Sequence, residues 1–140
     1  MDNTNRRTVF SPSRTLLMVI SLFAFFSACR GNGGEGDMTV SVLREKLAGA
    51  KPPVVIDVRN PDELKGPLGA LDVAINIPLP ELEGRLKEVE RFKNKDIVVI
   101  CRSGNRSGKA VKLLQAKGLK ATNIAGGMIA WRDAFGTSNK

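Results

Sequence analysis

The sequence predicts an α/β domain with a mainly parallel sheet flanked by helices, and three observations carry that expectation. Val54-Val55-Ile56-Asp57-Val58 and Ile97-Val98-Val99-Ile100-Cys101 are near-continuous β-branched runs, the pattern of central strands buried on both faces. Segments with helical spacing alternate with them, as in folds whose crossovers pack on a sheet. The chain has 140 residues, of which 42% are hydrophobic and 26% charged, which suits one globular domain and neither a disordered nor a multi-span membrane protein.

The first thirty or so residues read as an address. Arg6, Arg7 and Arg14 precede an apolar and small-residue run, Thr15 to Ala28, laid out like the basic and hydrophobic regions of a secretory signal. The run is shorter than the roughly 20 residues a spanning helix needs, which favours cleavage. Its end, Phe26-Ser27-Ala28-Cys29, resembles the lipobox of bacterial lipoproteins, where the cysteine is lipidated and becomes the mature N-terminus. Phe26 departs from the aliphatic residue usual there, so a plain signal peptide and an uncleaved anchor stand as alternatives. Gly31-Asn32-Gly33-Gly34-Glu35-Gly36 then reads as a flexible tether. The expected organisation is a signal over 1–28, a tether over 29–37, the folded domain over 38–135 and a tail over 136–140. Basic residues ahead of the apolar run place the domain on the outer side of a bacterial inner membrane, periplasmic or outer-surface, with a lipid anchor at Cys29.

Within the domain, weaker strands are expected at Met38–Val40, Ala74–Ile77 and Thr122–Ile124. Ser41 is the expected cap of a first helix through Gly49, Leu79–Val89 reads as a second helix and Ser107–Lys117 as a third, closed by Gly118. A short last helix runs from Met128 to about Phe135. Gly126 and Gly127 form a turn before it, and Trp131 is read as core.

Charge and composition exclude several functions. The chain carries 22 Lys+Arg against 14 Asp+Glu, a formal +8, which favours anionic partners. Its lysines lack interleaved aromatics, there is no Tyr and only one Trp, so nucleic acid is not an expected partner. There is no His, which removes imidazole as general base, as metal ligand and as partner of a catalytic Cys or Ser. No metal or other cofactor is expected. The two cysteines, Cys29 and Cys101, have separate roles in this reading, and without a Cys-x-x-Cys pair thiol oxidoreductase chemistry is disfavoured.

The chemistry converges on Cys101. The strand ending at Ile100 runs into Cys101-Arg102-Ser103-Gly104-Asn105-Arg106-Ser107 and then directly into a helix, which puts the cysteine at the carboxyl edge of the sheet, where ligands bind in open α/β folds. Amides of such a loop and of the first helical turn converge into an anion nest. With Arg102 and Arg106 beside it, a thiol of ordinary pKa about 8.5 is expected to shift toward the thiolate. Gly104 lets the backbone curl. Two look-alikes fail. Gly104 to Ala110 has three residues between its glycines and Ala110 where a P-loop needs Ser or Thr. A cysteine phosphatase would resemble Cys, five residues, then Arg, but here Ser107 stands at that spacing and Arg106 arrives one position early.

Four segments in order, Val55-Ile56-Asp57-Val58-Arg59, Ala74-Ile75-Asn76-Ile77-Pro78, Cys101 to Ser107, and Gly126-Gly127-Met128-Ile129-Ala130-Trp131, together resemble a single-domain rhodanese over about Met38 to Phe135. The resemblance implies a rhodanese-like α/β fold, a five-stranded mainly parallel sheet flanked by helices. It implies sulfane-sulfur transfer through a persulfide on Cys101, from a small anionic donor to cyanide or a thiol. Thiosulfate is the expected donor, since Arg102 adds charge where mercaptopyruvate-using relatives tend to have Gly. Arg102 and Arg106 are expected to attract the donor's oxyanion, and Ser103, Gly104, Asn105 and Ser107 to complete the loop. Asp57 and Arg59 are expected to buttress it, with Arg59 paired to Glu63. Ala70 and Val73 replace the His and second Gly that many rhodaneses carry, which bears on substrate preference. A non-catalytic binding module or a sulfur carrier is the alternative class.

Overall fold

A computed structural model describes residues 36–136. The order of elements is α1 (Val40–Ala48), β1 (Val54–Asp57), α2 (Pro61–Leu64), β2 (Ala74–Asn76), α3 (Leu79–Leu82), α4 (Leu86–Glu90), β3 (Ile97–Ile100), α5 (Asn105–Ala116), β4 (Ala121–Asn123) and α6 (Gly127–Phe135). Every strand pairing is parallel and the sheet order is β2-β1-β3-β4.

The two β-branched runs are the inner strands, paired from Val54 with Ile97 to Asp57 with Ile100. All four residues of β3 are buried. Side chains alternate across a strand, so Ile97 and Val99 join the core beneath α3, α4 and α5, while Val98 and Ile100 join the core beneath α1 and α6. Each such buried side chain contributes on the order of 2 kcal/mol. Cys101 continues the parity and falls on the α5 side, in the same cluster as Ile97 and Val99.

Among the described residues the sheet has four strands and not five. The expected strand at Met38–Val40 is reduced to one bridge, Met38 with Ile124. The helix intervenes: Thr39 is already its cap, with the Val42 N–H donating to the Thr39 hydroxyl at 3.4 Å, and Val40 starts α1. Ser41 therefore lies inside the first turn. The expected helix Leu79–Val89 is two short ones. Around Gly84 the ladder tightens, the Arg85 N–H reaching both Glu81 and Leu82 carbonyls and the Glu88 N–H returning to Arg85. The Arg85 side chain bridges the break by pairing with Glu81 and Glu88.

α5 begins two residues earlier than expected. Gly104 caps it with φ 99°, so Asn105, Arg106 and Ser107 belong to its first turn and not to a loop. Its other end closes as expected at Gly118, φ 76°, with the Gly118 N–H bonded to the Gln115 carbonyl and Leu119 to Leu114, the Schellman arrangement. Trp131 is buried in the α1–α6 core. No helix among the described residues is long and apolar enough to cross a membrane. The expected signal, Cys29 and nearly all of the tether lie outside the described residues, as does the tail beyond Gly136.

Candidate active site

Cys101 is 1% exposed, immediately after β3. Its Sγ accepts a hydrogen bond from the Gly104 N–H at 3.2 Å and another from the Ser107 hydroxyl at 3.2 Å. The Ser107 hydroxyl also lies 3.1 Å from the Gly104 carbonyl. It has one hydrogen, and an anionic sulfur is the stronger acceptor. Burial pushes the Cys101 thiol up, but the Ser107 hydroxyl and the amides of Ser107, Ser103 and Gly104 outweigh it, and the net shift is downward from the ordinary thiol value. The nest expected from the sequence is present, and its hydrogen bonds are the main cause that lowers the pKa.

The amides face the sulfur because the carbonyls of the same loop are held elsewhere. Met128 N–H donates to the Cys101 carbonyl at 2.8 Å and Ile129 N–H to the Arg102 carbonyl at 3.0 Å. In a trans peptide the N–H points opposite to the C=O, so anchoring the Arg102 carbonyl on α6 turns the Ser103 N–H toward Sγ. Those α6 donors are orphan groups of its first turn, satisfied here by the loop. The N-terminus of α6 thus shapes the site without touching the sulfur. The Gly126-Gly127 turn makes this approach possible, with φ 73° and 56°. The sequence marked the turn but not its consequence for the loop.

The charged residues are arranged differently from the expectation. Arg59 does not pair with Glu63. Its Nη2 lies 2.6 Å from Asp57, both side chains fully buried, and its Nε and backbone N–H also donate to Asp57. Strand geometry explains the choice, since residues two apart share a face and Asp57 is the nearer acid. Arg59 Nη2 also donates to the Gly69 carbonyl, which ties β1 to the segment before β2. Asn76, quoted in a motif but given no role, donates to the Asp57 and Arg59 carbonyls at 2.9 and 2.8 Å and fixes the same corner.

Glu63 pairs instead with Arg106, Oε1 to Nη1 at 2.6 Å and Oε2 to Nη2 at 2.7 Å. Arg106 is therefore not a free cation awaiting an oxyanion. Its fork holds the Glu63 carboxyl at about 2, well below the usual carboxylate range. Arg102 is exposed and has no ion pair among the described residues. Ser103 and Asn105 are exposed beside it, at the mouth. No group of three or more His, Cys, Asp or Glu that could hold a metal occurs among the described residues.

The hydroxyl contact gives a direct prediction. In Ser107→Ala the thiolate loses a donor, its pKa rises, and less thiolate is present at neutral pH. Iodoacetamide alkylation of Cys101 at pH 7 is expected to slow by roughly tenfold, with the rate profile displaced to higher pH. An unmoved profile would mean the amides alone set the pKa.

Comparison with known proteins agrees with this geometry. The family model described as rhodanese-like domain matches residues 39–134. A protein named sulfurtransferase from Allochromatium vinosum is 33% identical over 90 residues, covering 64% of this chain and 80% of the relative. The crystal structure of a rhodanese-like domain protein from Staphylococcus aureus aligns with TM-score 0.61 at 34% identity, covering 69% of this chain and 91% of the other. The human single-domain sulfurtransferase TSTD1 aligns with TM-score 0.60 at 28% identity, covering 71% and 97%. Parallel sheet, buried cysteine at its carboxyl edge and family match all coincide over the same residues, and the chain belongs to the rhodanese-like domain family.

Proposed function

We propose that this protein is a sulfurtransferase that carries sulfane sulfur as a persulfide on Cys101. The observation that carries the reading is the Cys101 sulfur itself, buried and ringed by a hydroxyl and amide donors, with its pKa lowered. Such a site stabilises an anion on sulfur, which both the attacking thiolate and the persulfide product are. Relatives named sulfurtransferases support the same class.

The reaction runs in two displacements. The Cys101 thiolate attacks the outer sulfur of a donor such as thiosulfate, the S–S bond of the donor breaks, and sulfite leaves with the electron pair. Cyanide or an acceptor thiolate then attacks the terminal sulfur and releases the Cys101 thiolate. No proton shuttle is needed, which suits a chain without histidine. Arg102 offers the unpaired charge that draws an anionic donor to the mouth. A purely non-catalytic module would have no use for a thiolate tuned this way.

Intact mass after incubation with thiosulfate tests the reading. The wild type is expected to gain one sulfur and to form thiocyanate with cyanide, and Cys101→Ser to do neither above the rate without protein. Absence of both from the wild type overturns it. The export reading rests on residues 1–29. Palmitate labelling that is lost in Cys29→Ala supports a lipid anchor at the outer side of a bacterial membrane, and an unlabelled wild type refutes it.

A further inference from the structure

We infer that Glu63 is a specificity-determining residue of this site: by occupying Arg106 it holds back dianionic sulfur donors and favours donors with a single negative charge, a persulfide being the class that fits. This rests on the sulfurtransferase reading above. Arg106 lies in the first turn of α5, next to Ser107, whose hydroxyl touches Cys101 Sγ, and it feels the charge of the Cys101 thiolate. It is thus a cation of the site, and Glu63 covers both of its terminal nitrogens.

Charge addition at the mouth follows. The thiolate and Glu63 are negative, Arg102 and Arg106 positive, and the buried Asp57–Arg59 pair cancels internally. These four charges sum to zero once the nucleophile ionises. A dianion such as thiosulfate gains no net attraction there, and it must bring two negative charges beside a third. A persulfide anion brings one. In that case the Cys101 thiolate attacks the terminal sulfur of RS–S⁻, a new S–S bond forms at Cys101, and RS⁻ departs with the electron pair.

Glu63 is fixed in place from two sides. Asn60 and Pro61 open α2, and the Asn60 N–H donates to Glu63 Oε1 at 3.2 Å in a capping box, while the Arg106 fork donates to both Oε1 and Oε2. With its carboxyl at about 2, Glu63 stays charged across the working pH range, so its effect is a constant preference and not a pH switch.

The test is donor competition on the full chain. Second-order rates of Cys101 loading, read by rapid quench and intact mass, are measured with thiosulfate and with the persulfide of N-acetylcysteine amide. In Glu63→Gln the ratio of thiosulfate to persulfide rate is expected to rise roughly tenfold, mainly through a lower half-saturating thiosulfate concentration, with a steeper salt dependence. Glu63→Asp, which keeps the charge, is expected to keep the wild-type ratio. A ratio that stays within twofold in Glu63→Gln, a parallel loss with both donors, or an equal shift in both variants overturns the inference. If the wild type loads from neither donor, the sulfurtransferase reading itself fails, and that result is separate from any change in ratio.

Discussion

Replacing Gly127 by alanine is expected to lower the stability of the domain by about 3 kcal/mol or more and to raise the pKa of Cys101, although residue 127 does not touch the sulfur. A Cβ at Gly127 would sit inside the radius of the Cys101 carbonyl oxygen and 2.8 Å from both the carbon and the oxygen of the Arg102 carbonyl. All of these are backbone atoms, so no side chain can swing aside. The backbone there also has φ 56°, where a side chain is strained in any case. Relief requires α6 to withdraw from the loop. That breaks the bonds from Met128 and Ile129 that hold the two carbonyls, and with them the orientation of the Ser103 amide. A domain of this size is expected to lose on the order of 15 °C in Tm. The alkylation profile of Cys101 should move to higher pH at temperatures where the fold persists. Gly118→Ala is the control, since Gly118 has φ 76° but nothing within 4 Å of the new Cβ. It is expected to cost about 1 kcal/mol and to leave the Cys101 profile alone. Equal losses in the two variants would show that strain, and not the docking of α6, dominates.

The parts of this molecule legible in the sequence are those fixed by local pattern. β1 and β3 announce themselves because burial on both faces demands apolar β-branched residues without alternation. Cys101 follows from its place at the end of such a run, ahead of a glycine and a helix. The edges are less legible. Thr39 and Ser41 are both good helix caps, and only the sheet decides: starting at Val40 puts Val40 and Leu43 into the core, which shortens the first strand to a single bridge. The break at Gly84 depends on Arg85 finding two acids at once. Ion pairing was the least legible. Arg59 had Asp57 and Glu63 within sequence reach, and the choice between them turns on which face of the chain each side chain leaves. Glu63 and Arg106 are 43 positions apart, and nothing local to either announces their fork. Yet that pairing decides that Arg102, and not Arg106, keeps a charge without an ion pair among the described residues.

The other large effect is expected at the buried pair behind the loop. Asp57→Asn should destabilise the domain by about 3–5 kcal/mol, more than removing both charges together. Asp57 and Arg59 are fully buried, and the carboxylate takes the Nε, Nη2 and backbone N–H of Arg59. An amide keeps one acceptor and turns the other into a donor, which faces either Nη2, now 2.6 Å from Oδ2, or the Nε and backbone N–H that share Oδ1. The guanidinium is then left charged, dry and short of partners, while its Nη1 already has no hydrogen-bond partner among the described residues. A double variant, Asp57→Leu with Arg59→Met, removes the stranded charge and fills the space with apolar atoms. It gives up the bond to the Gly69 carbonyl and leaves the Arg59 backbone N–H without its Asp57 acceptor, and is expected to cost about 2–3 kcal/mol, still less than Asp57→Asn. Urea unfolding of the wild type, both single variants and the double variant gives the coupling directly. If Asp57→Asn costs less than the double variant, the pair does not hold this corner. In that case the Asn76 bonds to the Asp57 and Arg59 carbonyls are what keep β1 and its loop in place.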